Sequence, residues 1–211
     1  LKAEYEITDL GPIKHCLGWE ICRDRANKTL TINQSQYTKD ILQRFGMADA
    51  NPVSTPACSQ IDFSKSMCPQ TDEEKAAMND VPYLEALGSI LYLAMCTRPD
   101  IAFAVSELSK YASNPGEKHW TGVKRVLRYL KGTTDYGICF GISEDGRKLS
   151  GSVDSSYARC PDTRRSRYGG VLMMNKGPVD WKSKMESVVA LSSMESEYIG
   201  ACEMVKIIVW L

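Results

Sequence analysis

An alternating run that ends on one carboxylate, followed by a helical run that begins near another, narrows the folds open to residues 149–211. Leu149, Gly151 and Val153 alternate as in a strand that delivers Asp154 at its tip. Two further strand-like runs, 168–174 and 178–182, flank Asn175-Lys176-Gly177, which reads as a hairpin turn. Ser192 then reads as a helix N-cap with Glu195 at capping-box spacing, and Tyr198, Ala201, Cys202, Val205 and Ile208 recur at helical intervals. Glu197 therefore sits one turn into that helix.

Three strands and a helix in this order, with Asp154 on the first and Glu197 near the start of the last, form a layout able to bind divalent metal. Mg2+ wants hard oxygen ligands, and two-metal phosphoryl chemistry sets a pair of ions about 4 Å apart to activate water and steady the leaving oxygen. Two carboxylates alone rarely suffice. The same residues also fit a plainer reading, with Asp154 as a turn residue ahead of Ser155-Ser156 and Glu195 and Glu197 complementing the positive end of the helix dipole. Spacing alone leaves both open.

Upstream, Tyr5, Ile7 and Leu10 precede the breaker Gly11-Pro12, and the β-rich runs 13–23 and 28–33 join at Asp24-Arg25-Ala26-Asn27 as a hairpin. Residues 36–45 carry Tyr37, Ile41, Leu42 and Phe45 at helical spacing, with Ser35 as cap and Gly46 as stop. From 48 to 81, prolines, serines and the polar run Thr71-Asp72-Glu73-Glu74-Lys75 read as a loop or linker with at most one short turn. Three helices follow. The first, 83–96, carries Tyr83, Leu87, Ile90, Leu91 and Ala94; the second, 99–111, opens at Thr97 with Asp100 three residues on. The third begins at Asn114-Pro115 and lines up Trp120, Val123, Leu127 and Leu130 as one apolar stripe. Residues 138–140 read as a strand pairing with 149–153 through a turn at Glu144-Asp145-Gly146.

Beside the stripe of the third helix runs a basic arc of Lys118, Lys124, Arg125, Arg128 and Lys131, with no acidic residue between its ends. A row of cations on one helix can displace the counterions condensed on a nucleic-acid backbone, which gives affinity without sequence choice. It can equally be a solvated helix face.

At 211 residues the chain can bury one large core or two small ones, and two short domains suit the pattern better. Lys plus Arg and Asp plus Glu are both 26, so whole-chain charge carries no nucleic-acid signature. The 8 cysteines form no CxxC pair and join no histidine cluster, which argues against a structural zinc site. They read as reduced, mostly buried small hydrophobes of an intracellular protein, cytoplasmic or nuclear. No apolar run reaches the roughly 18 residues of a membrane span and no basic-then-apolar leader is present, so no membrane partner is expected. Leu1 is not a start Met and the last helix is still apolar at Ile207-Ile208-Val209-Trp210-Leu211, so the chain is expected to be a piece of something longer.

Trp181-Lys182-Ser183-Lys184, Val189-Ala190-Leu191-Ser192-Ser193 and Glu195-Ser196-Glu197-Tyr198 closely resemble the RNase H region of Ty1/copia-type LTR retrotransposon Pol polyproteins. Asp9-Leu10-Gly11, Leu17-Gly18-Trp19-Glu20, Gln34-Ser35-Gln36-Tyr37, Gly88 through Leu93, Thr97-Arg98-Pro99-Asp100 and Lys124 through Gly132 are similar, in order, to that family's passage from reverse transcriptase into RNase H. The resemblance implies an α+β fold: a β-hairpin and helical thumb- or connection-like segment, then a truncated RNase H-like mixed sheet with a helix. The expected segments are 1–47, the end of the palm and start of the thumb; 48–81, a linker; 82–134, the helical segment; and 135–211, RNase H-like.

The same resemblance implies that Asp154 and Glu197 are catalytic ligands for Mg2+ or Mn2+ in a complete domain, where later carboxylates join them. Metal binding by these 211 residues alone is expected to be weak or absent. It further implies that Lys118, Lys124, Arg125, Arg128, Lys131, Arg164 and Arg165, with Arg167, contact an RNA–DNA hybrid or template–primer duplex. Gly18, Trp19 and Glu20 would position the primer end, although Trp19 also fits as a packing aromatic. The remainder of the polyprotein is an expected partner. The parent would copy RNA into DNA and cut the RNA strand of hybrids; this stretch lacks the polymerase aspartates and is expected to be inactive alone. Around Asp154 the chain departs from the family pattern: Ser156, Tyr157, Arg159 and Cys160 stand where Asp, Trp, Gly and Asp are usual. A non-catalytic nucleic-acid-binding relic or domesticated host protein is the alternative.

Overall fold

A computed structural model describes residues 11–58, 61–142 and 148–211. The expected apolar positions Tyr5, Ile7 and Leu10, most of the Asp9-Leu10-Gly11 motif and the turn at Glu144-Asp145-Gly146 lie outside the described residues. The described chain is α+β, with six α-helices and two antiparallel sheets.

The first sheet has strand order β1-β2-β3-β4, formed by His15–Cys16, Trp19–Asp24, Thr29–Asn33 and Gly137–Phe140. The expected single run over 13–23 is broken by a tight turn in which Leu17 and Gly18 both have positive φ, 50° and 77°. β4 departs from expectation more sharply. Instead of pairing with 149–153 it lies against β3, with Ile138 opposite Ile32, which is in turn opposite Ile21. Three isoleucines align on one face of the sheet, an apolar match that the Ser- and Gly-rich strand after residue 148 does not offer.

Between the two sheets in sequence lies the helical body: α1 Ser35–Arg44, α2 Asp72–Met78, α3 Tyr83–Cys96, α4 Ala102–Ser109 and α5 Glu117–Gly132. Its core is the apolar stripes that periodicity marks, with Ile90, Leu93, Ile101, Val105, Val123, Leu127 and Leu130 closed to solvent. Three helix starts, those of α1, α4 and α5, differ from expectation; α5 begins at Glu117 after Gly116, past the expected Asn114-Pro115. Ser35 lies inside α1, and Asn33 Oδ1 accepts from its amide at 3.1 Å. The Thr97 hydroxyl leaves the α4 start to donate to buried Gln34 at 2.8 Å. A 3-10 turn at Pro99–Ile101 precedes α4. Within the stretch read as linker, α2 is a full helix because Thr71 and Glu74 close a reciprocal capping box at its start.

The second sheet, β5-β6-β7, comprises Ser150–Ser156, Arg167–Met174 and Gly177–Met185. The mixed sheet expected from the resemblance is antiparallel throughout among the described residues. Consecutive strands joined by short turns, such as Asn175-Lys176 with φ of 51° and 67°, pair antiparallel, and parallel pairing needs a long crossover. α6, Ser193–Trp210, crosses this sheet. Its expected apolar stripe is not the face that docks: Tyr198, Val205 and Ile208 are exposed, while Ser196, Gly200, Met204 and Ile207 are buried. Gly200 decides this, because a Cβ there would meet Ser155 Oγ at 2.9 Å and Tyr168 Cβ at 3.1 Å. A small-residue face lets the helix axis come closer to the strands than an aliphatic stripe would.

The cysteines also differ from the reading as mostly buried. All eight are free; Cys160 alone is buried, and Cys16, Cys22 and Cys139 are exposed. Strand alternation in β2 and β4 turns Cys22 and Cys139 to the open face, opposite the isoleucines.

Candidate functional site

Asp154 occupies the fifth position of β5, opposite Gly169 of β6, and is exposed. It is thus within the strand, not at its tip. β5 lies at the edge of its sheet, and the start of α6 passes along that edge. Ser192 Oγ caps α6 by accepting from the Glu195 amide at 3.1 Å, while the Glu195 carboxylate accepts from the Leu191 amide at 2.6 Å. Glu195 is therefore occupied in fastening the helix start. Glu197, two residues on, is free to meet the strand: its Oε1 accepts the Ser155 amide at 3.3 Å, and Ser155 Oγ donates to the Ser196 carbonyl at 3.1 Å.

The two carboxylates flank one strand edge from different sides. Val153 and Ser155 face Gly200 of α6, so alternation places Asp154 on the opposite face with Ser156. Both are oxygen donors of the kind a hard cation accepts, which fits Mg2+ in donor chemistry. Their number falls short: among the described residues no group of three or more His, Cys, Asp or Glu is placed to hold a metal.

The basic residues divide by role. Lys118 and Lys131, near the two ends of α5, are exposed. Arg125 and Arg128 are half-buried and fasten the chain after α1 onto α5: Arg125 donates to Thr55 Oγ1 at 2.8 Å and Arg128 to the Asn51 carbonyl at 2.7 Å. Arg164 and Arg165 are exposed on the β5–β6 connection, where Arg164 has φ 55°. Arg167 pairs with Glu107 of α4 at 2.5 Å and donates to Ser106 Oγ at 2.6 Å. The structure brings Lys124, Arg125, Arg128, Arg165 and Arg167 to the walls of one cavity of about 590 Å³, between the helical body and the second sheet. Lys118, Lys131 and Arg164 stand outside it.

The Gly18-Trp19-Glu20 segment is tied down at several points. The Tyr92 hydroxyl donates to the Leu17 carbonyl at 2.6 Å, Glu20 Oε1 accepts from the Gln36 amide at 3.0 Å, and Trp19 is half-buried. The turn is rigidly mounted on α1 and α3.

Sequence reasoning missed the structural role of a fully buried arginine. Arg98, 2% exposed, donates to both carboxylate oxygens of Asp100 and to the Thr133 carbonyl and hydroxyl, and lies over the rings of Tyr129 and Tyr136. Burial by itself raises the Asp100 pKa, but hydrogen bonds and charge from Arg98, with the Tyr129 hydroxyl, outweigh it and hold the carboxyl below its ordinary 3.8. Thr97-Arg98-Pro99-Asp100 thus builds a clasp between α3, α4 and the end of α5. Its signal in sequence was an Arg and an Asp two apart in an otherwise apolar stretch.

Along its full length the chain is 44% identical to the Retrovirus-related Pol polyprotein from transposon TNT 1-94 of Nicotiana tabacum, of which it spans 16%. Over 134 residues it is 46% identical to Secreted RxLR effector protein 161 of Plasmopara viticola, covering 94% of that protein. Over 94% of its length it is 34% identical to the Retrovirus-related Pol polyprotein from transposon RE2 of Arabidopsis thaliana, spanning 13% of it. No protein-family model matches, and no solved structure does.

Proposed function

The chain belongs to the copia-type retrotransposon Pol polyproteins, and from that membership we propose that it joins the end of a reverse transcriptase to the first part of an RNase H. In the full polyprotein that RNase H cuts the RNA strand of an RNA–DNA hybrid. The observation that carries this reading is the meeting of Glu197 with the Ser155 amide, immediately beside Asp154, on a strand edge open to solvent. Asp154 and Glu197 would hold Mg2+, or Mn2+, only in company with further carboxylates. When bound, the metal supplies an activated water and neutralises the charge that develops on phosphate.

What the chain's own residues contribute is placement. The Ser155 amide orients the Glu197 carboxylate, and the Ser192 cap with Glu195 holds the helix start in register against β5. The exposed lysines of α5, Lys118 and Lys131, and Arg164 beyond the cavity meet hybrid phosphates without reading sequence. Gly18, Trp19 and Glu20, fastened to α1 and α3, steady a primer end. The 211 residues alone are catalytically silent, because a hard divalent ion held by two carboxylates is under-neutralised and poorly placed.

A second reading draws on the short relatives. The chain covers 94% of a separate protein named as a secreted effector and 78% of an uncharacterised mitochondrial protein of Arabidopsis thaliana, 31% identical. A stand-alone nucleic-acid-binding relic keeps the basic surface and dispenses with the metal.

Cleavage of a labelled RNA–DNA hybrid in Mg2+ or Mn2+ separates the two. The comparison is between the 211 residues and a version extended through a complete RNase H domain, each with Asp154→Asn and Glu197→Gln controls. Activity confined to the extended form and abolished in both controls is the expected result. Binding without cleavage in both forms removes the nuclease reading and leaves the relic.

A further inference from the structure

The cavity between the helical body and the second sheet collects more positive charge than the fold uses. Its walls hold Lys124, Arg125 and Arg128 from α5 and Arg159, Arg165 and Arg167 from the β5–β6 region, against two acidic residues, Asp62 and Glu107. Glu107 is already matched by Arg167 and Lys110. Among the described residues the other five cations make no ion pair, and Arg125 Nε is buried without a hydrogen-bond partner. In a chain whose charges sum to zero, such a concentration costs self-repulsion that a bound anion relieves.

Size and wall chemistry narrow the anion. At about 590 Å³ the cavity is far larger than an inorganic phosphate needs and lies in the range of sites for nucleotide-sized ligands. Part of its wall is apolar and aromatic: Phe63, Phe103 and Leu108 line it, and Phe103 is exposed with the Arg167 guanidinium 5.8 Å from its ring centre. A ring face for stacking beside arginine forks is what a base linked to phosphate calls for. Gly122 of α5 lets the Phe63 ring and Leu108 seat closely against the helix in this wall, since a Cβ there would meet them at 2.6 and 2.7 Å.

We propose that this cavity seats a phosphorylated nucleoside, with its base against Phe103 and Phe63 and its phosphate between Lys124 on α5 and Arg165 on the β5–β6 connection. The nucleoside is either a free nucleotide or an unpaired nucleotide of a bound strand. The inference deepens the nucleic-acid reading above and rests on it for the kind of ligand, but it uses neither Asp154 nor Glu197.

Fluorescence anisotropy on the 211-residue chain tests it, with labelled AMP and a labelled oligothymidylate of about ten residues as separate probes. Binding of AMP identifies a free-nucleotide site; binding of the oligonucleotide alone identifies a strand site. In either case the double variant Lys124→Ala/Arg165→Ala, and independently Thr121→Glu, which sets a carboxylate in the exposed wall, weaken binding by about tenfold or more. Lys39→Ala/Lys75→Ala, which removes two exposed cations of α1 and α2 outside the cavity, changes it by less than about twofold. Failure of both probes to bind, or equal weakening by all three variants, overturns the proposal. Loss of hybrid cleavage in the extended form with probe binding intact removes the nuclease reading and leaves this site standing.

Discussion

Arg167 of β6 meets Glu107 of α4 at 2.5 Å, and both side chains are largely shielded from solvent. This ion pair is one of the few polar fasteners between the helical body and the second sheet, with the Trp181 indole donating to the Ala94 carbonyl at 2.7 Å and the Tyr111 hydroxyl donating to Asp162 at 3.1 Å. A double-mutant cycle of Arg167→Met and Glu107→Gln, read by urea denaturation, is expected to give a coupling energy of about 1–3 kcal/mol. Additive effects would show that this pair contributes no net coupling between the two parts.

Arg98→Met should be among the most damaging single changes. It leaves Asp100 with the Tyr129 hydroxyl as its remaining side-chain donor, takes the guanidinium donors from the Thr133 carbonyl and hydroxyl, and is expected to cost about 3–5 kcal/mol. Thermal or urea melts measure it directly. Asp100→Asn, which keeps an acceptor in place, should cost less; equal losses would mean that the charge pairing, which both variants remove, is the larger part of the effect.

Gly200→Ala tests how α6 is seated. The added methyl meets Ser155 Oγ and Tyr168 Cβ, so the helix must move off β5, with an expected loss of about 1–3 kcal/mol. Because Glu197 lies one turn earlier on the same helix, the extended form carrying this change should also lose hybrid cleavage. Full cleavage in a destabilised variant would separate packing from site geometry.

His119 makes stability depend on pH. It is closed to solvent, stacked on Tyr111 at 4.1 Å, and its Nδ1 accepts the Gly116 amide. Burial pushes its pKa below 6.5 despite Asp162 nearby, and Lys110 pushes the same way. The unfolded chain therefore binds the proton more readily than the folded one. The stabilisation is complete above pH 6.5 and declines as pH falls from there toward the folded-state value. Unfolding free energies between about pH 7.5 and about pH 5.5 should fall with acidity, with a shallower slope in His119→Gln. An unchanged slope in that variant would assign the effect to other groups.

Much of the helical body was legible from residue order. The stripes of α3 and α5, the Ser192 cap and the strands carrying 150–156 and 167–174 follow from local periodicity and capping chemistry, which act within a few residues. The capping box at Thr71 and Glu74 was equally local and was hidden by the polar, proline-rich stretch around it.

What residue order could not decide were relations between distant parts. β4 has a side-chain pattern that suits either neighbour, and the alignment of Ile138 with Ile32 and Ile21 selects the strand more than a hundred residues earlier. α6 offers an apolar stripe and a small-residue face; the close approach at Gly200 to β5 and β6 selects the second and leaves Tyr198 and Val205 in solvent. The arginines after β5 and the cations of α5 form separate local runs in the sequence, and packing of sheet against helices makes them opposite walls of one cavity. Local chemistry determined which elements form and which residues carry charge, because hydrogen bonding and periodicity are short-ranged. Their partners, and so the shape of any site, came from tertiary packing, where shape complementarity between distant surfaces sets the free energy.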